Sequence, residues 1–219
     1  MIKKILKYTK NLILLCLGLV GIYLFNLFFM KPYSIDHFLG KELVLDLVDS
    51  PEAMTYIGVF DRFDWLTRHN SNLSIPKKDD RENSIKQYEQ VIKTLYKYDD
   101  SSLSQVQRNT KKIALFDAEN NLKQVKEFPH HDYPLNQIGG IHLNTIEFLS
   151  DMHPIRNESE AEDFIKRANL IKKVYEGVLA DLEDQADAGI FPPEFVYDHV
   201  INQLSEFISY DYNEHPLYT

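Results

Sequence analysis

The sequence predicts an all-α protein, an antiparallel bundle-like layer of helices following one N-terminal transmembrane helix. Three observations carry this expectation. Apolar residues recur at spacings of three and four in successive windows between Glu52 and Ile208. Helix punctuation frames those windows, with Ser50-Pro51-Glu52 at one start and Gly189 before Pro192-Pro193 at one stop. No segment sustains the period-two alternation of a strand, and no internal repeat of roughly 20–50 residues is visible.

Composition bounds the partners. The 219 residues fit one ordinary domain with a short appendage. Hydrophobic residues at 44% and charged residues at 26% describe a folding chain rather than a disordered one. The net charge is -9, and removing the +4 of Lys3, Lys4, Lys7 and Lys10 leaves -13 on residues 11–219. Such a body repels phosphate backbones, which argues against nucleic acid as a partner. The only cysteine, Cys16, excludes an intrachain disulfide and a multi-cysteine metal site. Ile13, Leu14 and Leu15 stand before it, where lipoprotein cleavage wants small residues, so Cys16 reads as membrane-buried.

Residues 1–10 form a basic tail, read as cytoplasmic. Residues 11–30 carry no charge, and at ~1.5 Å rise per residue they cover a ~30 Å hydrocarbon core. The lipid bilayer is therefore an expected partner through residues 11–30. The lysine excess before the span places the N-terminus in the cytoplasm and residues 34–219 outside, as one helical domain. The competing reading is a cleaved signal and a secreted body. It is disfavoured by the bulky run Leu27-Phe28-Phe29-Met30, where a signal peptidase needs small residues.

The helices of the body follow in order. Ser34 caps a helix through Val48. Ser50-Pro51-Glu52 starts the next, whose stripe is Met54, Ile57, Phe60, Phe63 and Leu66. Asn70–Pro76 reads as polar turn material. Asp79–Tyr98 forms a helix with Ile85, Tyr88, Val91, Ile92 and Leu95 inward. Asp99–Ser102 caps another reaching about Asp117. Pro129 and Pro134 make Lys126–Pro134 irregular, and Gln137–Leu149 is helical, weakened at Gly139-Gly140. Asn157 with Glu160, or Ser159 with Glu162, forms a capping box. One stripe then continues through Phe164, Ala168, Ile171, Tyr175, Val178, Leu182 and Ala186. The last helix is Glu194–Ile208, with Val196, Val200, Leu204 and Phe207 inward, paired antiparallel to its predecessor across the Gly189–Pro193 turn.

No residue qualifies as catalytic, cofactor-binding or metal-ligating. The eight histidines are His37, His69, His130, His131, His142, His153, His199 and His215. None precedes a glutamate, and no two lie three or four apart, so no helical turn presents a metal-binding pair. His130-His131 beside Asp132 would point to opposite faces of an extended segment. His142 and Glu147 are five apart, His153-Pro154 reads as a turn, and Asp198-His199 as solvated surface. No Gly-x-Ser-x-Gly elbow or phosphate loop is present. The acids of 158–163 and 181–187 lack the spaced ligands of a calcium loop and read as helix-start charge and a solvated face.

Several residues stand in a familiar order: Tyr133-Pro134, Gln137, Gly140, His153-Pro154-Ile155, Ala161-Glu162, Arg167 and Gly189-Ile190-Phe191-Pro192-Pro193. They resemble the N-terminal helical half of the bacterial domain-of-unknown-function family 885, well over residues 126–209. Ser50-Pro51-Glu52, Thr55 and Gly58 resemble an earlier, less specific signature of the same half. The resemblance implies a zinc-peptidase-like relative of the gluzincins, whose His-Glu-x-x-x-Gly-His motif lies downstream in a longer chain. It implies that zinc belongs only to a full-length relative, and that no zinc ligand or catalytic glutamate carries over to a residue here. The expectation is a fragment-like N-terminal portion in the bacterial inner membrane, truncated before the zinc motif and inactive alone. A separately encoded C-terminal catalytic half is the expected protein partner. The alternative is a self-contained surface binding or scaffold module with no enzymatic role. An uncovered apolar face would distinguish the first from the second.

Overall fold

The computed structural model describes residues 2–218, and among them every regular element is helical. The chain forms two compact units. One comprises residues up to Leu45 with Lys86–Leu122, and the other Asp46–Ile85 with Lys123 onward.

The first unit begins with α1 (Ile2–Phe29). Its apolar stretch Leu6–Phe29 has mean hydropathy 2.5 and is long and apolar enough to cross a membrane, as an anchor or a signal sequence would be. Asn26 ends the helix. Its carboxamide donates to Lys31 O (3.0 Å) and accepts from Tyr33 N (3.0 Å), and Pro32 stops propagation. Helix α2 (Ile35–Asp49) starts with Ser34 Oγ accepting from Asp36 N at 3.2 Å, as the sequence predicts. Ile35 and Phe38 then pack with Leu95, Tyr98 and Leu103 in one core. The buried Tyr98 hydroxyl donates to Pro32 O at 2.8 Å, and burial pushes its pKa up to about 12.

The second unit holds α3 (Pro51–Ile57), α4 (Asp64–Thr67) and α7 (Ile141–Glu147), followed by α8 (Glu158–Ala168), α9 (Ile171–Asp187) and α10 (Glu194–Ser209). Most of α5 (Asp80–Leu95) and α6 (Gln105–Glu127) belongs to the first unit, which takes residues 86–122. The core of the second unit is Leu73, Val174 and Val178, with Leu135, Ile141 and Phe148 packed against it. Gly177 permits the approach of α9 to the 73–76 segment, since a Cβ there would lie 2.6 Å from Pro76 O.

Several expectations need correction. The stripe predicted from Met54 to Leu66 is broken at Gly58, whose φ of 66° ends α3 with its N–H on Met54 O. Phe63 and Leu66 are consequently exposed on a separate short turn of helix. The Asn70–Pro76 turn material includes buried Asn70 and Leu73. Helix α6 begins at Gln105 because Ser104 and Gln107 form a reciprocal capping box, Gln107 N to Ser104 Oγ (3.2 Å) and Ser104 N to Gln107 Oε1 (3.0 Å). It runs ten residues past Asp117 to Glu127. The long stripe after Phe164 is two helices. Asn169 ends α8 by donating both its N–H (3.1 Å) and its side-chain amide (2.9 Å) to Ile165 O.

Other punctuation agrees with the sequence. Asn157 is the cap of α8, with Oδ1 accepting from Glu160 N at 3.1 Å. The Glu160 carboxylate turns to Arg156 N (2.6 Å) instead of completing the box. Gly189, φ 71°, closes α9 in a two-bond motif, Gly189 N to Ala186 O (3.0 Å) and Ile190 N to Gln185 O (2.9 Å).

Candidate functional site

The most densely bonded place in the second unit is a buried arginine. Arg167 lies on the inner face of α8, three residues after Phe164, and is fully buried. Its Nε donates to Asn72 O (2.8 Å), Nη1 to His153 Nδ1 (2.8 Å), and Nη2 to Thr55 Oγ1 (2.9 Å) and to His69 O. The guanidinium also sits 4.9 Å from the Phe148 ring centroid. A guanidinium has five N–H donors. Nearly all are spent on the protein's own acceptors, so Arg167 clasps α3, the 69–72 turn and the 148–153 segment rather than holding a substrate anion.

This clasp fixes the chemistry of His153. Arginine only donates, so Nδ1 must accept, and the ring proton sits on Nε2 and goes to Glu160 O at 3.1 Å. Burial pulls the His153 pKa below its ordinary 6.5; the Glu160 carbonyl opposes this and the Arg167 charge reinforces it. Burial likewise lowers Arg167 to about 10, opposed by Glu52, Asp64 and Asp163, which leaves it cationic at neutral pH.

A polar ring surrounds the clasp. Buried His69 places Nδ1 2.7 Å from Thr67 Oγ1 and 3.1 Å from Asp64 Oδ1, and Nε2 3.5 Å from Asp61 Oδ1. Asp61 Oδ2 pairs with Arg156 at 2.9 Å, and Arg156 pairs with Glu160 at 2.9 Å. Next to it opens an apolar cleft of about 310 Å³, lined by Glu52, Leu73, Ser74, Ile141, Asn144, Thr145, Phe148 and Val174. Glu52 is fixed there by Ser74, whose N–H and Oγ donate to its two oxygens at 2.7 and 2.6 Å. The volume lies at the low end of small-molecule sites (roughly 300–1,000 Å³).

The histidines differ in burial, and His130 and His215 are half-buried. His37, His131 and His199 are exposed, and His199 is the solvated residue the sequence predicts. His69, His142 and His153 are buried. His142 Nε2 bonds Gln203 Oε1 at 2.9 Å, while its Nδ1 is buried without a partner. His153 is thus a bonded core residue and more than a turn residue. Among the described residues no group of three histidine, cysteine or carboxylate side chains is placed to hold a metal ion. The missed signal was Arg167 itself, a cation at an apolar helix position three residues from Phe164 and next to Ala168.

The resemblance residues Thr55, His153 and Arg167, distant in sequence, meet in this one clasp. No curated protein and no solved structure matches the chain significantly. The family model described as bacterial protein of unknown function (DUF885) matches residues 51–219, wider than the 126–209 over which the resemblance is strong. That match includes every residue of the clasp and the cleft and covers well over half of the sequence, so the chain belongs to the DUF885 family.

Proposed function

We propose that this chain is the membrane-anchored helical portion of a metallopeptidase-like protein, silent in catalysis by itself and docked against a catalytic half. The carrying observation is a second apolar stripe on α10. Val196 and Val200 bury one side of that helix, yet Tyr197, Ile201 and Ile208 are exposed, with half-buried Leu204 in the same row. Their spacing of four, three and four is that of a helix-packing seam. Phe191 and Phe195 are exposed in the same region. A contiguous apolar strip of this kind favours a covering protein partner over a solvated face.

The retained anchor is supported by Asn26. This residue is buried, and its bonds to Lys31 and Tyr33 tie the end of α1 to the segment that Tyr98 holds through Pro32. Cleavage near residue 30 would remove Asn26 and these bonds. The rival reading, a self-contained binding module, draws on the apolar cleft beside Phe148.

Two measurements test the proposal. The purified chain should show no chelator-sensitive peptidase activity; such activity would refute the proposal. Ile201→Glu with Ile208→Glu should leave the fold within about 0.5 kcal/mol, as a row facing outward requires. Unfolding of that double variant would mean the face is already buried, and the docking reading would fall.

A further inference from the structure

We infer that the first unit carries a binding pocket for the phosphate headgroup of an anionic phospholipid at the end of α1. This inference rests on the proposed membrane anchor. The pocket is about 180 Å³, and its lining combines Phe28, Phe29 and Met30 with Lys31, Lys41 and Lys97. None of its ten lining residues is acidic. Such a cluster is conspicuous in a body whose net charge is -13, as derived above from the total of -9.

Position selects the ligand. Phe29 is the last residue of the apolar span, and Lys31 follows two residues later. A span of this length ends at the headgroup layer, whichever leaflet it reaches. Exposed Phe28, Phe29 and Met30 then lie beside acyl chains, and the lysines lie at phosphate depth. Both halves of an amphiphile meet complementary chemistry there.

The lysines also have local structural work, and the charge balance must include it. Lys31 Nζ donates to Lys97 O (2.9 Å) and lies 4.5 Å from the Tyr98 ring centroid. Lys41 pairs with Glu42 at 2.6 Å and approaches the Phe38 ring. Lys97 has no ion-pair partner among the described residues. Glu42 offsets Lys41 and the Asp99 carboxylate acts on Lys31, so Lys97 is the lysine whose charge is left for a phosphate. Lys31 uses one of its three donors on the protein, so donors remain for phosphate oxygens.

The test uses the full chain, extracted from membranes of mixed phosphatidylglycerol and phosphatidylcholine and weighed by native mass spectrometry. One phosphatidylglycerol per chain should be retained in preference to phosphatidylcholine. Lys41→Gln with Lys97→Gln should weaken retention roughly 25-fold, taking each lysine as about 1 kcal/mol or about fivefold. Lys31 is kept in that variant because its bonds are structural, and circular dichroism checks that helicity is unchanged. Equal retention of both lipids, or equal retention by the variant, would overturn the inference. Displacement of the lipid by millimolar glycerol phosphate would also overturn it, by showing a site for a free phosphate. Alkaline extraction separates the two readings. Loss of the wild-type chain from the membrane removes the anchor, whereas an integral chain without selective retention removes only the lipid site.

Discussion

Replacing Arg167 by methionine tests the clasp most directly. The change keeps a long unbranched side chain but deletes the charge and every donor. Thr55 Oγ1 retains Pro51 O (3.0 Å) and Asn70 Oδ1 (2.9 Å), so it loses little. The Nδ1 of buried His153 and the partly buried carbonyl of Asn72 lose their donor, whereas His69 O keeps the N–H of Asn72 at 3.1 Å. Each unsatisfied group costs about 1–3 kcal/mol. Relief from burying a guanidinium offsets part of this, and removal of one partner from a buried charged network typically costs about 3–5 kcal/mol. We expect a loss in that range, against a total of about 5–15 kcal/mol for a domain. Trp65, the only tryptophan, is 75% exposed and would scarcely change its emission. Amide hydrogen exchange of residues 69–74 in the full chain is the better measurement. At tenfold per ~1.4 kcal/mol, exchange should accelerate by about two to three and a half orders of magnitude. Arg167→Lys should fall between, because an ammonium keeps the charge but lacks the planar fork that spans Asn72, His153 and Thr55. Exchange within threefold of wild type in Arg167→Met would refute the clasp as the organising contact of this unit.

Two further outcomes follow from the same geometry. Because the folded His153 pKa lies below its unfolded value of 6.5, the unfolded chain binds the proton first. Its contribution is full above about pH 6.5 and is lost as pH falls through the folded pKa. The slope of stability against pH between 5 and 7 should therefore flatten in His153→Gln, and an unchanged slope would exclude His153 as its source. At Gly177, alanine would drive a Cβ to 2.6 Å from Pro76 O, displacing backbone rather than a flexible side chain. A loss of about 1–3 kcal/mol is expected in urea unfolding, and wild-type stability would show that the 73–76 segment yields freely.

Local chemistry was legible wherever a residue's role is confined to one helix turn. Ser50, Asn157 and Gly189 act as the sequence predicts because a cap bonds groups two to five residues away. Gly58 carried the same kind of signal, a glycine at a helix end. It was overridden by an apolar spacing of three that continues across the break without reporting on the backbone. The 168–171 break was hidden likewise, since the apolar phase is kept while Asn169 ends the helix. Asp99 and Ser104 both carry cap chemistry in the sequence, but Asp99 caps only a single turn at 100–102 while Ser104 and Gln107 start the long helix.

By itself the sequence determined the all-α class, the apolar N-terminal helix and the family, because periodicity, apolar length and motif order are properties of the chain. Only the tertiary structure decided that Arg167, His153, Thr55 and His69 form one site. Thr55 and Arg167 stand 112 residues apart, and spacing within a helix holds no record of such a meeting. A charged residue is predicted outside because burying it without partners is prohibitive. The fold supplies four acceptors from distant segments, and that supply inverts the expectation.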